Sequence, residues 1–135
     1  MPTPLNTLRG ASDDLIATLT AEGIKDSDAL VEAAATPEQR KRMASQSGCD
    51  TATILELANR ADLARIKGVS GVYSDLLENA GVDTVKELAT RNAENLHAKL
   101  VATNDAMQLS QRPPTAEQVS DWIAQAKELP KLLTY

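Results

Sequence analysis

Asp13-Asp14, Asp26 with Asp28, and Asp121 are the carboxylates whose spacing invites a metal-dependent reading, because two-metal phosphoryl chemistry needs acidic ligands that converge on one point. Adjacent carboxylates on a helix point about 100° apart. Asp26-Ser27-Asp28 reads as the cap of the following helix rather than as a cage. Metal catalysis is therefore not expected, and neither is a cofactor. Cys49 and His97 are the only cysteine and the only histidine, so a nucleophile and base pair is formally available. The same counts exclude an internal disulfide and the usual Cys/His zinc site. A structural or surface role is the expectation for both residues. Arg40-Lys41-Arg42 is a basic cluster with Glu38 beside it, and the expectation is a solvated helix face, with an auxiliary phosphate contact as the sharper alternative.

The elements that must carry these residues are helical. Gly, Pro and capping residues cut the chain into short segments with few β-branched alternations. Thr36-Pro37-Glu38-Gln39 offers an N-cap, a proline at the first helical position and a Gln that can close a capping box, which predicts a helix to about Gln46. Thr84 with Glu87, and Thr115 with Gln118, repeat that logic at two later starts. Ile54, Leu57, Ala58 and Ala61 fall at i, i+3, i+4 and i+7, and Val119, Trp122, Ile123 and Ala126 repeat the spacing. Each set makes one apolar stripe that packs on a core, with Trp122 as an anchor.

Composition narrows the function classes. Fourteen Lys and Arg stand against 19 Asp and Glu, a net charge of -5, which argues against coating nucleic acid by bulk charge. Phe is absent and only Tyr73, Trp122 and Tyr135 are aromatic, so a stacking platform for single-stranded nucleic acid has almost no material. Met1-Pro2-Thr3-Pro4-Leu5-Asn6-Thr7 has neither a basic region nor an apolar run, and no stretch approaches the length of a membrane span. Together with the single cysteine, this makes a reducing cytoplasm the expected location. No small-molecule substrate is evident, and no membrane association is expected.

A shift of 58 residues lays the chain on itself. Leu5, Gly10, Ser12, Leu19, Gly23, Leu30, Ala35, Lys41 and Ala44 then meet Leu63, Gly68, Ser70, Leu77, Gly81, Leu88, Ala93, Lys99 and Ala102. The stripe at Ile54 realigns with that at Val119 after an insertion of seven residues around Ser110-Gln111-Arg112-Pro113-Pro114. A tandem duplication is the expectation, with residues 1–62 as the first repeat and 63–135 as the second, sharing one aliphatic core. Cys49 falls opposite Met107, an apolar position, and His97 opposite Gln39, a polar one.

Within each repeat, Ile66-Lys67-Gly68-Val69-Ser70-Gly71 through Leu76, Leu77 and Ala80 to Gly81-Val82, and Leu8-Arg9-Gly10-Ala11-Ser12 through Leu15, Ile16 and Leu19 to Gly23-Ile24, resemble a helix-hairpin-helix motif. The resemblance covers about 17 residues per copy. It implies a glycine turn that leaves backbone N–H groups at a helix start free for a DNA phosphate, assisted by the helix dipole. Ser70 and Ser12 replace the second glycine of the pattern, and each could cap its helix and occupy those N–H groups. Asp13 and Asp14 would repel phosphate in the first copy. A DNA contact therefore falls to Arg65, Lys67, Gly68, Val69, Ser70 and Gly71 of the second.

The duplicated units, the segment Ile54-Leu55-Glu56-Leu57-Ala58-Asn59-Arg60-Ala61-Asp62-Leu63-Ala64-Arg65-Ile66-Lys67-Gly68-Val69 and the closing Val119-Ser120-Asp121-Trp122-Ile123-Ala124-Gln125-Ala126-Lys127 look like the bacterial domain of unknown function 4332 family. That family is similar to the helix-hairpin-helix and SAM-like helical domains of DNA repair factors. The expectation is an all-α, non-enzymatic binding module for duplex DNA, read through its backbone. The alternative is a protein-interaction or scaffold domain without nucleic-acid binding. The last residues, Pro130-Lys131-Leu132-Leu133-Thr134-Tyr135, are expected to fold back onto the core, with display to a partner as the alternative.

Overall fold

A computed structural model describes residues 4–69 and 71–135. The chain is all-α: a 3-10 turn Leu5–Thr7, then α1 Asp13–Ala21, α2 Ser27–Ala33, α3 Pro37–Ser47, α4 Thr51–Leu63, α5 Gly71–Asn79, α6 Val85–Ala89, α7 Ala93–Met107 and α8 Ala116–Glu128. The described residues form no strand, only an isolated bridge between Pro4 and Asp26.

Local chemistry sets the helix starts. Thr36 and Gln39 close a capping box, with Gln39 N–H donating to Thr36 Oγ1 at 3.2 Å and Thr36 N–H to Gln39 Oε1 at 3.1 Å. Thr115 and Gln118 close another, at 3.1 and 2.8 Å. Thr84 Oγ1 accepts from Glu87 N–H at 3.1 Å, Asp26 Oδ1 from Ala29 N–H at 2.9 Å, and Ser12 Oγ from Leu15 N–H at 3.2 Å. Each cap satisfies a donor that a helix start otherwise leaves unpaired.

Helix lengths recur along the chain. α1 and α5 are both nine residues and begin 58 residues apart, whereas α4 and α8 are both 13 residues and begin 65 apart. Gly10 and Gly68 hold φ of +88° and +95°, and Gly23 and Gly81 hold +87° and +96°.

Packing divides the aliphatic core into two clusters, where the sequence suggested one. The first gathers Leu15, Leu19, Leu30, Val31, Met43 and the α4 stripe Ile54, Leu57, Ala58 and Ala61. The second gathers Leu63, Ile66, Leu76, Leu77, Leu88, Leu100 and the α8 stripe Val119, Trp122, Ile123 and Ala126. α4 contributes to both, packing on α2 and α3 and also on α5, while α8 packs on α6 and α7. Trp122 is 1% exposed and its ring meets Tyr73 at 5.3 Å between centroids. Burial of a side chain of this size contributes about 2–3 kcal/mol, which makes Trp122 an anchor of the second cluster.

The tail crosses between clusters. Leu133, at 2% exposure, sits in the first cluster although it follows the last helix of the second. Thr134 N–H donates to Ala35 O at 2.8 Å. Arg40 departs from the solvated face expected of it. It is 3% exposed, and its guanidinium donates to Ala34 O at 2.9 Å and to Thr134 O at 2.6 Å. The Tyr135 ring lies 5.6 Å from its Cζ. Carbonyl oxygens and an aromatic face compensate the buried charge, so the side chain secures the tail in place of meeting solvent. Lys41 and Arg42 are exposed as expected.

Candidate nucleic-acid interface

The turn between α4 and α5 carries the six residues singled out for a phosphate contact. Its shape is set by Gly68, which at φ +95° occupies a conformation that a Cβ would strain. Lys67 and Gly68 are exposed, Arg65 is half-buried, and Val69 and Gly71 are buried. Ser70 lies outside the described residues.

The polar groups of this turn are largely engaged within the chain. Arg65 donates through Nε to Asp62 Oδ1 at 2.9 Å and through Nη2 to Pro130 O at 2.9 Å, and its side chain is 10% exposed. Asp62 Oδ2 in turn accepts from Val85 N–H at 3.0 Å, so the pair ties the end of α4 to the start of α6 and to the tail. Lys67 N–H donates to Gln125 Oε1 at 2.9 Å, and Gln125 Nε2 returns a bond to Lys67 O at 3.1 Å. Val69 N–H donates to Ile66 O. Of the cationic candidates, only the Lys67 ammonium reaches solvent without a partner among the described residues.

The glycines are also occupied from outside the turn. A Cβ at Gly68 would stand 3.0 Å from Trp122 Nε1. At Gly71 it would fall 1.6 Å from the Thr7 carbonyl oxygen, so the first segment of the chain rests directly on the start of α5. In the earlier turn, Gly10 faces Arg60 Nη1 at 3.2 Å from its would-be Cβ, and Ser12 caps α1. Arg9, Asp13 and Asp14 are exposed.

Arg60 leads to a group of charges with no sequence signal. Its Nη2 donates to Asp75 Oδ1 at 2.9 Å. Its Nε lies 3.2 Å from Glu78 Oε2 but without the alignment of a hydrogen bond, which leaves both atoms buried and unbonded. Burial pushes the Glu78 carboxyl up to about 7, against the smaller opposing pull of Arg60.

The acidic candidates for catalysis do not assemble. Among the described residues, no three His, Cys, Asp or Glu side chains group so as to hold a metal ion. Asp26 caps α2 and Asp121 accepts from Gln125 Nε2 at 2.8 Å. Cys49 is half-buried against the first cluster, and burial followed by the Asp50 charge raises its thiol above the ordinary range, which opposes thiolate formation. His97 is half-buried on α7. No helix among the described residues is long and apolar enough to cross a membrane.

A family model described as Domain of unknown function (DUF4332) matches residues 9–129. No curated protein and no solved structure matches the chain.

Proposed function

The chain belongs to the domain of unknown function 4332 family, and from the state of its α4–α5 turn we propose that it is a non-enzymatic protein-interaction module rather than a DNA clamp. The observation that carries this reading is the covered mouth of the turn. Thr7 O rests on Gly71, Gln125 takes both polar groups of the Lys67 backbone, and Arg65 is engaged by Asp62 and Pro130. A phosphate would have to displace these partners before reaching the donors that a helix-hairpin-helix contact uses. In this reading the glycine turns are devices for close packing, two related units form one scaffold, and the acidic surface avoids nucleic acid.

A second reading, sequence-independent binding of duplex DNA, draws support from the exposed Lys67 side chain beside the exposed, left-handed Gly68. Residues 63–135 also carry 8 basic against 9 acidic side chains, whereas residues 1–62 carry 6 against 10, so the net negative charge lies mostly in the first part. Fluorescence anisotropy with a labelled short duplex separates the two. The interaction reading expects no saturable binding even at low salt, and retention of a protein partner from nuclease-treated extract that Lys67→Glu leaves unchanged. Saturable binding that weakens steeply between low and physiological salt, is abolished by Lys67→Glu and is unaffected by Arg9→Glu would replace it with the DNA reading.

A further inference from the structure

Between the start of α6, the end of α8 and the C-terminal tail lies an open cleft of about 380 Å³, within the range of small-molecule sites. Val85, Ala89, Ala126, Leu129 and Leu132 give it an aliphatic lining. Its walls are held in place without a ligand. Arg65 fixes the tail at Pro130 O, Leu133 is buried in the first cluster, and Arg40 and Ala35 hold Thr134. A preformed cavity spares a ligand the cost of ordering it.

The unpaired charges that line the cleft are lysines. Among the described residues Asp62 is the one Asp or Glu side chain that lines it, and that group is paired with Arg65 at 2.7 Å and bonded to Val85 N–H. Lys86, Lys127 and Lys131 also line it, all three exposed and none in an ion pair among the described residues. Three lysines without an ion-pair partner among the described residues thus line an apolar depression in a chain of net charge -5. Their long flexible stems can gather around a small anionic head. An alkane or alcohol would leave the three cations unused, and a cationic amphiphile would be repelled by them.

We propose that this cleft binds a monoacyl carboxylate, with its hydrocarbon chain on the Val85, Ala89 and Ala126 lining and its carboxylate among Lys86, Lys127 and Lys131. The proposal does not depend on the interaction reading above, because neither a protein partner nor DNA is needed for it. The test is an amide NMR titration of the full chain with decanoate below its micellar concentration, with decyltrimethylammonium and phosphatidylglycerol vesicles as parallel arms. The expected result is saturable shifts at submillimolar decanoate, centred on Val85, Ala89, Ala126 and residues 129–133, and no such response to the cation. Joint Lys86→Glu, Lys127→Glu and Lys131→Glu substitution should weaken decanoate at least about tenfold. Leu132 is 42% exposed, so Leu132→Glu keeps the fold and should weaken binding too by placing a carboxylate in the cleft. Absence of saturable shifts, an equal response to decyltrimethylammonium, shifts centred elsewhere, or binding to vesicles without uptake of monomeric decanoate would each overturn the proposal.

Discussion

At Gly71 the obstacle to a side chain is the Thr7 carbonyl oxygen, a backbone atom that no rotamer change can move, 1.6 Å from the position of a Cβ. Gly71→Ala must therefore push the Leu5–Thr7 turn off α5, and overpacking of this kind costs about 3 kcal/mol. Gly68→Ala meets two smaller obstacles, a φ of +95° and Trp122 Nε1 at 3.0 Å, for which about 1–2 kcal/mol is expected. Urea unfolding of the two variants checks the order; a Gly71→Ala protein as stable as the parent would mean that Thr7 does not rest there in solution. Glu78 gives a second residue-scale prediction, in pH. Its carboxyl is raised from 4.5 to about 7 in the folded state, so between those values the folded chain holds a proton that the unfolded chain has lost. That contribution to stability is fully present below about pH 4.5 and is lost as pH rises through 7. Thermal unfolding should show Tm falling across this window relative to Glu78→Gln, which keeps the shape and removes the titration. Parallel pH profiles for the two proteins would show that Glu78 is solvated.

At the scale of elements, the tail is where a short sequence has the widest structural effect. Leu133 fills a place in the first cluster that no residue of α1 to α4 occupies, so Leu133→Ala should cost about 2–4 kcal/mol. Hydrogen exchange should locate the damage in α2, α3 and α4, close to Ala35 and Arg40 and remote in sequence; loss of protection in α8 alone would contradict the assignment. Helix starts, by contrast, were legible because a cap is a local event. Thr36, Thr84, Thr115, Ser12 and Asp26 each hold a donor three residues away, a relation that spacing alone reveals. The apolar stripes of α4 and α8 were legible for the same reason, since 3.6-residue periodicity survives without knowledge of the partner. What escaped depends on residues distant in sequence. Arg40 looked solvated because its neighbours are charged, whereas its acceptor on Thr134 lies 94 residues away. Arg65 looked available to phosphate because Pro130 lies 65 residues away. Gly71 falls among the residues expected to meet a phosphate because nothing local announces Thr7. In the candidate site, residue types mark the turn for a phosphate contact but carry no trace of Thr7 and Trp122, which lie against Gly71 and Gly68.

Over the whole molecule, two hydrophobic clusters raise the question of whether the chain unfolds in one step. Four connections tie them together. α4 contributes to both clusters, Arg60 on α4 bonds Asp75 on α5, Thr7 rests on Gly71, and the tail carries Leu133 from the end of α8 into the first cluster. Separate unfolding of the first cluster would strip α4 from α5 and withdraw Leu133, while separate unfolding of the second would part Arg60 from Asp75 and remove the Gly71 surface on which Thr7 rests. Each cluster therefore raises the free energy of opening the other, and the parent chain should unfold in a single transition. Trp122 is the only tryptophan and sits in the second cluster, so its fluorescence reports that cluster, whereas far-ultraviolet circular dichroism reports the helices of both clusters. Denaturant curves by the two probes should coincide. Leu133→Ala acts on the first cluster, yet it should move the Trp122 fluorescence midpoint by the same amount as the dichroism midpoint if the connections hold. A fluorescence midpoint that stays fixed while the dichroism curve splits would show two independently stable halves, and the tail would then be an attachment to the first half instead of a tie between the two.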